Sequence, residues 1–256
     1  MGPRACRVRT MRDVAERGRR AVAALADVVR RDFPDVADPE ATIRSGKVAV
    51  DRVVRLNPAF RVRAGAHVAV SGGQALRGEA KLRASLDHFG LSVAGRVALD
   101  VGASAGGFTR VLLERGAARV YAVDAGHGQL LGSLRADPRV VNLESTNVGV
   151  LTSQLVSDVV DVVTVDVSYL SLSAAVEQVN RVQLAPDADL IGLVKPMFEL
   201  RRATAPVDDP SIEAARQAAI AGVARAGWEV RGWMHSPVRG THGAREVLVW
   251  AKRSAP

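Results

Sequence analysis

The chain has 256 residues, 48% of them hydrophobic, which is enough for one domain of ordinary size and a second small one. A single cysteine, Cys6, excludes an internal disulfide and a cysteine-rich metal site, and no apolar run reaches the roughly 18 residues of a membrane span. Thirty-five Lys and Arg against 27 Asp and Glu leave a net charge of +8, which favours a polyanion such as nucleic acid as partner. The first residues, Met-Gly-Pro-Arg-Ala-Cys-Arg-Val-Arg, carry no apolar stretch like that of a signal peptide, so a cytoplasmic protein is expected.

In chain order, residues 8–31 carry Met11, Val14, Ala15, Ala21, Val22, Leu25, Val28 and Val29 at roughly helical spacing. Arg17, Arg19 and Arg20 cluster around Gly18, which weakens a single unbroken helix, and Arg30 and Arg31 close the segment. Pro34, Pro39 and the acids Asp32, Asp35 and Asp38 interrupt the pattern. A short helix is expected over 40–44, a turn at Ser45-Gly46, and strands at 47–51, 60–62 and 67–70. Ser71-Gly72-Gly73 reads as a linker, giving a small basic α+β domain over 1–73 and a larger one over 74–256.

From Gln74 the texture becomes alternating. Helices are expected over 78–88, 107–115, 127–135, 171–182 and 211–226, and strands over 96–101, 119–123, 140–143, 161–166 and 190–194. Residues 229–233 and 245–250 read as a closing antiparallel pair. The implied class is α/β: a Rossmann-like, seven-stranded, mainly parallel sheet covered on both faces, with an antiparallel C-terminal strand. Ligands of such sheets sit beyond the carboxyl ends of the strands, where Gly102, Asp124 and Asp166 fall.

Residues 100–108, Asp-Val-Gly-Ala-Ser-Ala-Gly-Gly-Phe, join the first of these strands to a helix start, and their glycines let backbone approach a ligand. Asp124 ends the next strand, 22 positions after Gly102, where a carboxylate can accept hydrogen bonds from a ribose diol. The turn is not G-x-G-x-x-G, which disfavours a dinucleotide. It resembles the first motif of S-adenosylmethionine-dependent methyltransferases. The plainer alternative is a glycine-rich turn that only packs strand on helix.

Four residues can converge on the same edge: Lys81 on the helix before the first strand, Asp166 and Lys195 at strand ends, and Glu246 opening the last strand. Desolvation lowers a lysine's proton affinity and nearby carboxylates raise it, so two lysines with two acids can position and tune one amine. That suits a sugar hydroxyl, a weak acid and poor nucleophile that needs in-line approach and proton removal. Taken singly, each residue is equally well a solvated surface charge or a turn residue.

As a set, Lys81, Asp166, Lys195 and Glu246 resemble the Lys-Asp-Lys-Glu tetrad of FtsJ-like RNA ribose 2′-O-methyltransferases, and more closely that of the TlyA/hemolysin-A group that methylates ribosomal RNA. The resemblance extends to Arg77-Gly78-Glu79-Ala80-Lys81-Leu82, to the glycine-rich motif, to Asp166-Val167-Ser168-Tyr169-Leu170-Ser171-Leu172 and to Leu193-Val194-Lys195-Pro196-Met197-Phe198-Glu199, and it covers about 77–250. It implies catalytic roles for the tetrad and S-adenosyl-L-methionine binding by Asp100, Gly102, Ser104, Gly106, Gly107, Phe108, Asp124 and Asp166, with Asn147 near the adenine. No metal is implied.

Family members begin with a small RNA-binding domain of the ribosomal-protein S-four type. Here residues 43–51 resemble that domain's helix-turn-strand core, preceded by a longer segment with the Asp/Pro insertion at 32–39. The family's glycine-rich loop after Phe-Glu is replaced by Leu200-Arg201-Arg202-Ala203-Thr204-Ala205-Pro206. The reading is a methyltransferase acting on the ribose 2′-OH of ribosomal RNA, with ribosomal RNA or a ribosomal subunit as partner and no membrane. Two alternatives remain at this level: a relative that methylates a small metabolite, motivated by the altered loop, and a non-catalytic RNA-binding or hemolysin-like protein.

Overall fold

The computed structural model describes residues 8–9, 23–34, 36–51, 53–63, 65–70, 77–240 and 243–254. The cluster Arg17, Arg19 and Arg20, the first half of the expected N-terminal helix including Gly18, Cys6 and the Ser71-Gly72-Gly73 linker lie outside the described residues. The chain divides into two compact units: residues 1–74 with Leu131–Ala136, and 75–130 with 137–256.

The first unit opens with strands β1 (Val8–Arg9) and β2 (Ala23–Ala24), then helix α1 (Leu25–Asp32) and helix α2 (Pro39–Arg44). Strands β3 (Val48–Val50), β4 (Val53–Val54), β5 (Arg61–Val62) and β6 (Val68–Val70) follow. Within the described part of the expected helix over 8–31, Val8–Arg9 and Ala23–Ala24 are strands and the helix α1 begins at Leu25. Asp38 caps α2 by accepting the Ala41 amide at 2.9 Å, and Pro39 stands in its first turn, where its missing N–H costs nothing. The strands form sheets β1-β6-β3-β4 and β2-β5. Leu25, Val28 and Val29 of α1 pack with Ile43, Val48, Val50 and Val62 as the core of this unit.

The second unit runs α3 (Arg77–Phe89), β7 (Val97–Val101), α4 (Gly107–Glu114) and β8 (Arg119–Val123). After α5 (Gly132–Arg135), which clusters with the first unit, come β9 (Val140–Leu143), β10 (Val160–Val165) and α6 (Leu172–Val179). Then follow β11 (Leu184–Val194), α7 (Pro196–Glu199), α8 (Asp209–Arg225), β12 (Trp228–His235) and β13 (Val247–Arg253). Seven strands form one sheet in the order β12-β13-β11-β10-β7-β8-β9. The pairs β7–β8, β8–β9, β7–β10 and β10–β11 are parallel, and β13 runs antiparallel between β11 and β12. The α/β class and the antiparallel C-terminal strand are those expected.

The central strands are apolar on both faces because helices cover both: Leu99, Val101, Val163 and Val165 are essentially inaccessible, as are Ala215, Ala219 and Val223 of α8. The expected helix over 127–135 reduces to α5. Upstream of it the amides of Gln129 and Leu130 both donate to Glu144 Oε1, at 2.5 and 3.0 Å, and the Gly126 amide donates to Asp124. Gly128 takes a left-handed φ of +68°, which no right-handed helix accommodates, so the helix begins only after it. At the far end of the sheet, buried Asp189 accepts from Arg96 at 2.7 Å and from the Trp250 indole at 2.8 Å, tying β11 and β13 to the start of β7. Among the described residues no helix is long and apolar enough to cross a membrane.

Candidate active site

All five parallel strands end at one edge, and the residues that follow them build the site. The turn after β7 starts at Gly102, whose φ of +88° lies in the left-handed region. A Cβ there would fall 2.5 Å from the Asp166 carbonyl oxygen. Gly102 and Ala103 both donate to the Val123 carbonyl, at 2.8 and 3.0 Å, and the Asp166 amide donates to Val101 at 2.9 Å. The three strand ends β7, β8 and β10 are thus stitched together just where their side chains are needed.

Asp124 follows β8. Its Oδ2 accepts the Ser104 amide at 2.8 Å and its Oδ1 the Gly126 amide at 2.7 Å. Ser104 holds a φ of +48° and donates its hydroxyl to Gln129 Oε1 at 3.1 Å. Gly102, Ser104, Asp124 and Asp166 line one cleft together with Gln129, Thr146, Val148 and Tyr169. Four of the expected cofactor residues therefore meet, and five serve the frame around them. Asp100 is fully buried, accepting from Thr109 at 2.6 Å and Thr164 at 2.9 Å, and burial pushes its carboxyl up to about 6. Gly106 is the left-handed cap of α4, and Gly107 and Phe108 are buried where α4 abuts Gly78 of α3. Asn147 heads the short turn 148–150 and accepts the Gly149 amide at 2.9 Å; its neighbours Thr146 and Val148, rather than its own side chain, line the cleft.

The four tetrad residues come together. Lys81 on α3 is buried, with Nζ 2.7 Å from Glu246 Oε2 and 3.7 Å from Asp166 Oδ2. Lys195 Nζ lies 2.6 Å from Asp166 Oδ1. The result is a chain Glu246–Lys81–Asp166–Lys195 in which acids and amines alternate. Glu246 reaches it because β13 pairs Val247 with Val194, so the residue before β13 stands beside the end of β11. Glu246 precedes β13 instead of opening it, and its carboxylate rests against Gly240, where a Cβ would lie 2.3 Å from Oε1. Lys195 is the residue before α7, whose first position is the buried Pro196. Glu199, at the other end of α7, accepts the Leu172 amide at 2.6 Å, and burial raises its carboxyl above the ordinary range. That contact binds the loop after Lys195 to the loop after Asp166.

Gln129, Thr146, Val148 and Ser168 were missed as site residues. Gln129 carries no local signal at all, because only the fold of 125–130 brings it to the cleft. Ser168 and Tyr169 stood in the motif after Asp166, where proximity to the acid was the available cue. Among the described basic residues of the first unit, Arg30 pairs with Asp27, Arg31 with Asp32 and Arg44 with Glu40, all on the surface.

A family model for FtsJ-like methyltransferases matches residues 75–253. The chain is 39% identical over 237 residues to the TlyA 16S/23S rRNA (cytidine-2′-O)-methyltransferase of Mycobacterium tuberculosis, covering 89% of this chain and 88% of that one. It is 31% identical over 180 residues to the TlyA 23S rRNA (cytidine-2′-O)-methyltransferase of Campylobacter jejuni, covering 68% and 69%. Among solved structures, a candidate hemolysin from Streptococcus thermophilus superposes with a TM-score of 0.69 at 27% identity, covering 93% of this chain and 91% of that chain.

Proposed function

The chain belongs to the FtsJ-like methyltransferase family, and from that premise we propose that it methylates a ribose 2′-oxygen of ribosomal RNA, on cytidine, using S-adenosyl-L-methionine. The observation that carries this reading is the position of Asp166. It lines the cleft and at the same time holds both lysines of the tetrad.

The cleft suits S-adenosylmethionine. Gly102 lines it with backbone alone, and the Asp124 carboxylate follows β8 with lone pairs beyond those used by Ser104 and Gly126. Gly102, Ser104, Asp124 and Asp166 would hold the cofactor, with Asp100, Gly106, Gly107 and Phe108 fixing the loop that presents them. When bound, the cofactor would supply an electrophilic methyl group.

The residues of this chain handle the acceptor. Lys195 Nζ is the group placed to take the proton of the acceptor 2′-hydroxyl, beside Asp166. Asp166 then lies against the ammonium so formed, 2.6 Å away. Lys81 sits between Asp166 and Glu246 and keeps two close carboxylates from repelling each other. Positioning supplies much of the rate, and proton transfer about 10²–10⁴-fold more.

The basic N-terminal segment, with Arg17, Arg19, Arg20, Arg30, Arg31, Arg44 and Lys47, is the proposed RNA-binding domain of the S-four type. Exposed ion pairs such as Arg44–Glu40 are weak, so phosphates can compete for the guanidinium. Phosphate contacts position an RNA without reading its sequence. A cytoplasmic setting and ribosomal subunits as partner follow from the same reading. Neither the small-metabolite acceptor nor the non-catalytic alternative is favoured by the relatives.

The test is transfer of radiolabelled methyl to intact ribosomal subunits, naked rRNA and small-molecule extracts, side by side. Label in rRNA at a linkage that resists alkaline cleavage is the expected outcome. Label confined to small molecules would replace this reading.

A further inference from the structure

Two groups hold the Lys195 side-chain nitrogen: Asp166 Oδ1 at 2.6 Å, and Ser168 Oγ at 2.8 Å, to which Nζ donates. The first tether is shared. The other oxygen of Asp166 faces Lys81 at 3.7 Å, and Lys81 in turn is drawn to Glu246 at 2.7 Å. A carboxylate pulled between two amines does not by itself fix the direction of either. Ser168 stands two residues beyond Asp166, on the loop between β10 and α6, and its hydroxyl oxygen is a second acceptor on the same loop.

We propose that Ser168 is a positioning residue for Lys195, setting the direction in which its lone pair points. The proposal rests on the reading of Lys195 as the proton acceptor. A neutral lysine amine has two N–H bonds and one lone pair. With one N–H given to Ser168 and the nitrogen drawn to Asp166 Oδ1 by charge, rotation of the amine is fixed, and with it the direction of the lone pair toward the acceptor hydroxyl. Without Ser168 the amine rotates about its last carbon–nitrogen bond, and the lone pair is aligned only part of the time. Ser168 also lines the cofactor cleft, so a contact with the cofactor is the competing role that the experiment must separate.

The experiment compares the full chain with Ser168→Ala and Ser168→Thr. Loss of this hydrogen bond lowers kcat by about tenfold in Ser168→Ala, and the hydroxyl of Ser168→Thr restores most of it. KM for rRNA and for S-adenosylmethionine stays within about twofold, because the residue acts on the amine and not on binding. Two readouts need no turnover. Calorimetric affinity for S-adenosylhomocysteine is expected to be equal in all three proteins. Acylation of Lys195 by an amine-reactive ester, followed by mass spectrometry in the free protein, is expected to be severalfold faster in Ser168→Ala alone, since the amine has lost a tether. Equal acylation in the three proteins overturns the proposal, and so does a Ser168→Ala defect that lies chiefly in S-adenosylhomocysteine affinity. If the wild-type chain leaves rRNA unmethylated, the functional reading fails, and the acylation comparison still decides whether Ser168 holds Lys195.

Discussion

Gly102 and Asp166 approach so closely that a Cβ on the first would sit 2.5 Å from the carbonyl oxygen of the second. The two residues end the neighbouring strands β7 and β10, and their contact brings the glycine-rich turn of the cofactor cleft against the acid that holds both lysines. One backbone approach thus couples the two halves of the site.

Gly102→Ala is expected to damage both halves. The φ of +88° alone costs an L-residue roughly 1–2 kcal/mol, and the clash is with backbone, which cannot rotate away. Urea unfolding should show a loss of at least that size. Calorimetry should show S-adenosylmethionine binding reduced more than tenfold, on the order of 1.4 kcal/mol or more. Unchanged binding would mean that the turn does not shape the cleft.

Lys81 and Glu246 are predicted to be coupled in stability. Both side chains are nearly inaccessible, at 6% and 5%, so Lys81→Met leaves a buried carboxylate without its cation. Such a loss costs about 3–5 kcal/mol. The double variant Lys81→Met with Glu246→Gln removes the orphaned charge and should unfold at a higher urea concentration than Lys81→Met alone. Additive losses would show that the pair is not the source of the cost.

Much of this architecture was legible in the residues. Apolar runs bounded by Gly102, Asp124 and Lys195 gave the parallel strands and their functional ends, because a strand buried on both faces needs continuous apolar sequence. The tetrad was legible only as a set, since Lys81 and Glu246 lie 165 positions apart and carry no signal singly. What stayed hidden depends on tertiary contacts. Residues 127–131 have helix-compatible spacing, yet Gly128 takes a left-handed φ of +68° that ends any helix there, and Glu144 of the loop after β9 holds the amides of Gln129 and Leu130. The partners of Asp100 were hidden too: Thr109 on the next helix and Thr164, 64 positions on, both donate to its oxygens.

Asp100 should give stability a pH dependence. Its folded value, about 6, lies above that of an unfolded carboxyl, so the folded chain binds this proton more tightly. The stabilisation is present below the unfolded value of about 4 and is lost as pH rises through the folded one. A difference of roughly two units corresponds to ~3 kcal/mol. Asp100→Asn cannot titrate, so its stability relative to wild type should improve from about pH 4 to about pH 7 by up to that amount. Urea midpoints measured across the range check this. A constant difference between the two proteins would show that Asp100 does not carry the effect.

Asp124 offers the sharpest distinction between a carboxylate and its amide. Each of its oxygens already accepts a backbone N–H, Ser104 on one side and Gly126 on the other. An asparagine has one acceptor oxygen and one NH₂ donor, so in either orientation its donor faces an N–H. Asp124→Asn therefore frees either the Ser104 or the Gly126 amide, and Ser104, with its φ of +48°, depends on that contact to hold the turn. For a ligand diol the same substitution removes an acceptor of charge-assisted hydrogen bonds. The expected loss of S-adenosylmethionine affinity is ~1–3 kcal/mol for Asp124→Asn, close to that of Asp124→Ala, although asparagine is nearly isosteric. Calorimetry on the two variants decides the point. If Asp124→Asn bound S-adenosylmethionine like wild type while Asp124→Ala did not, the shape of the side chain, and not its two acceptor oxygens, would be what the cleft requires.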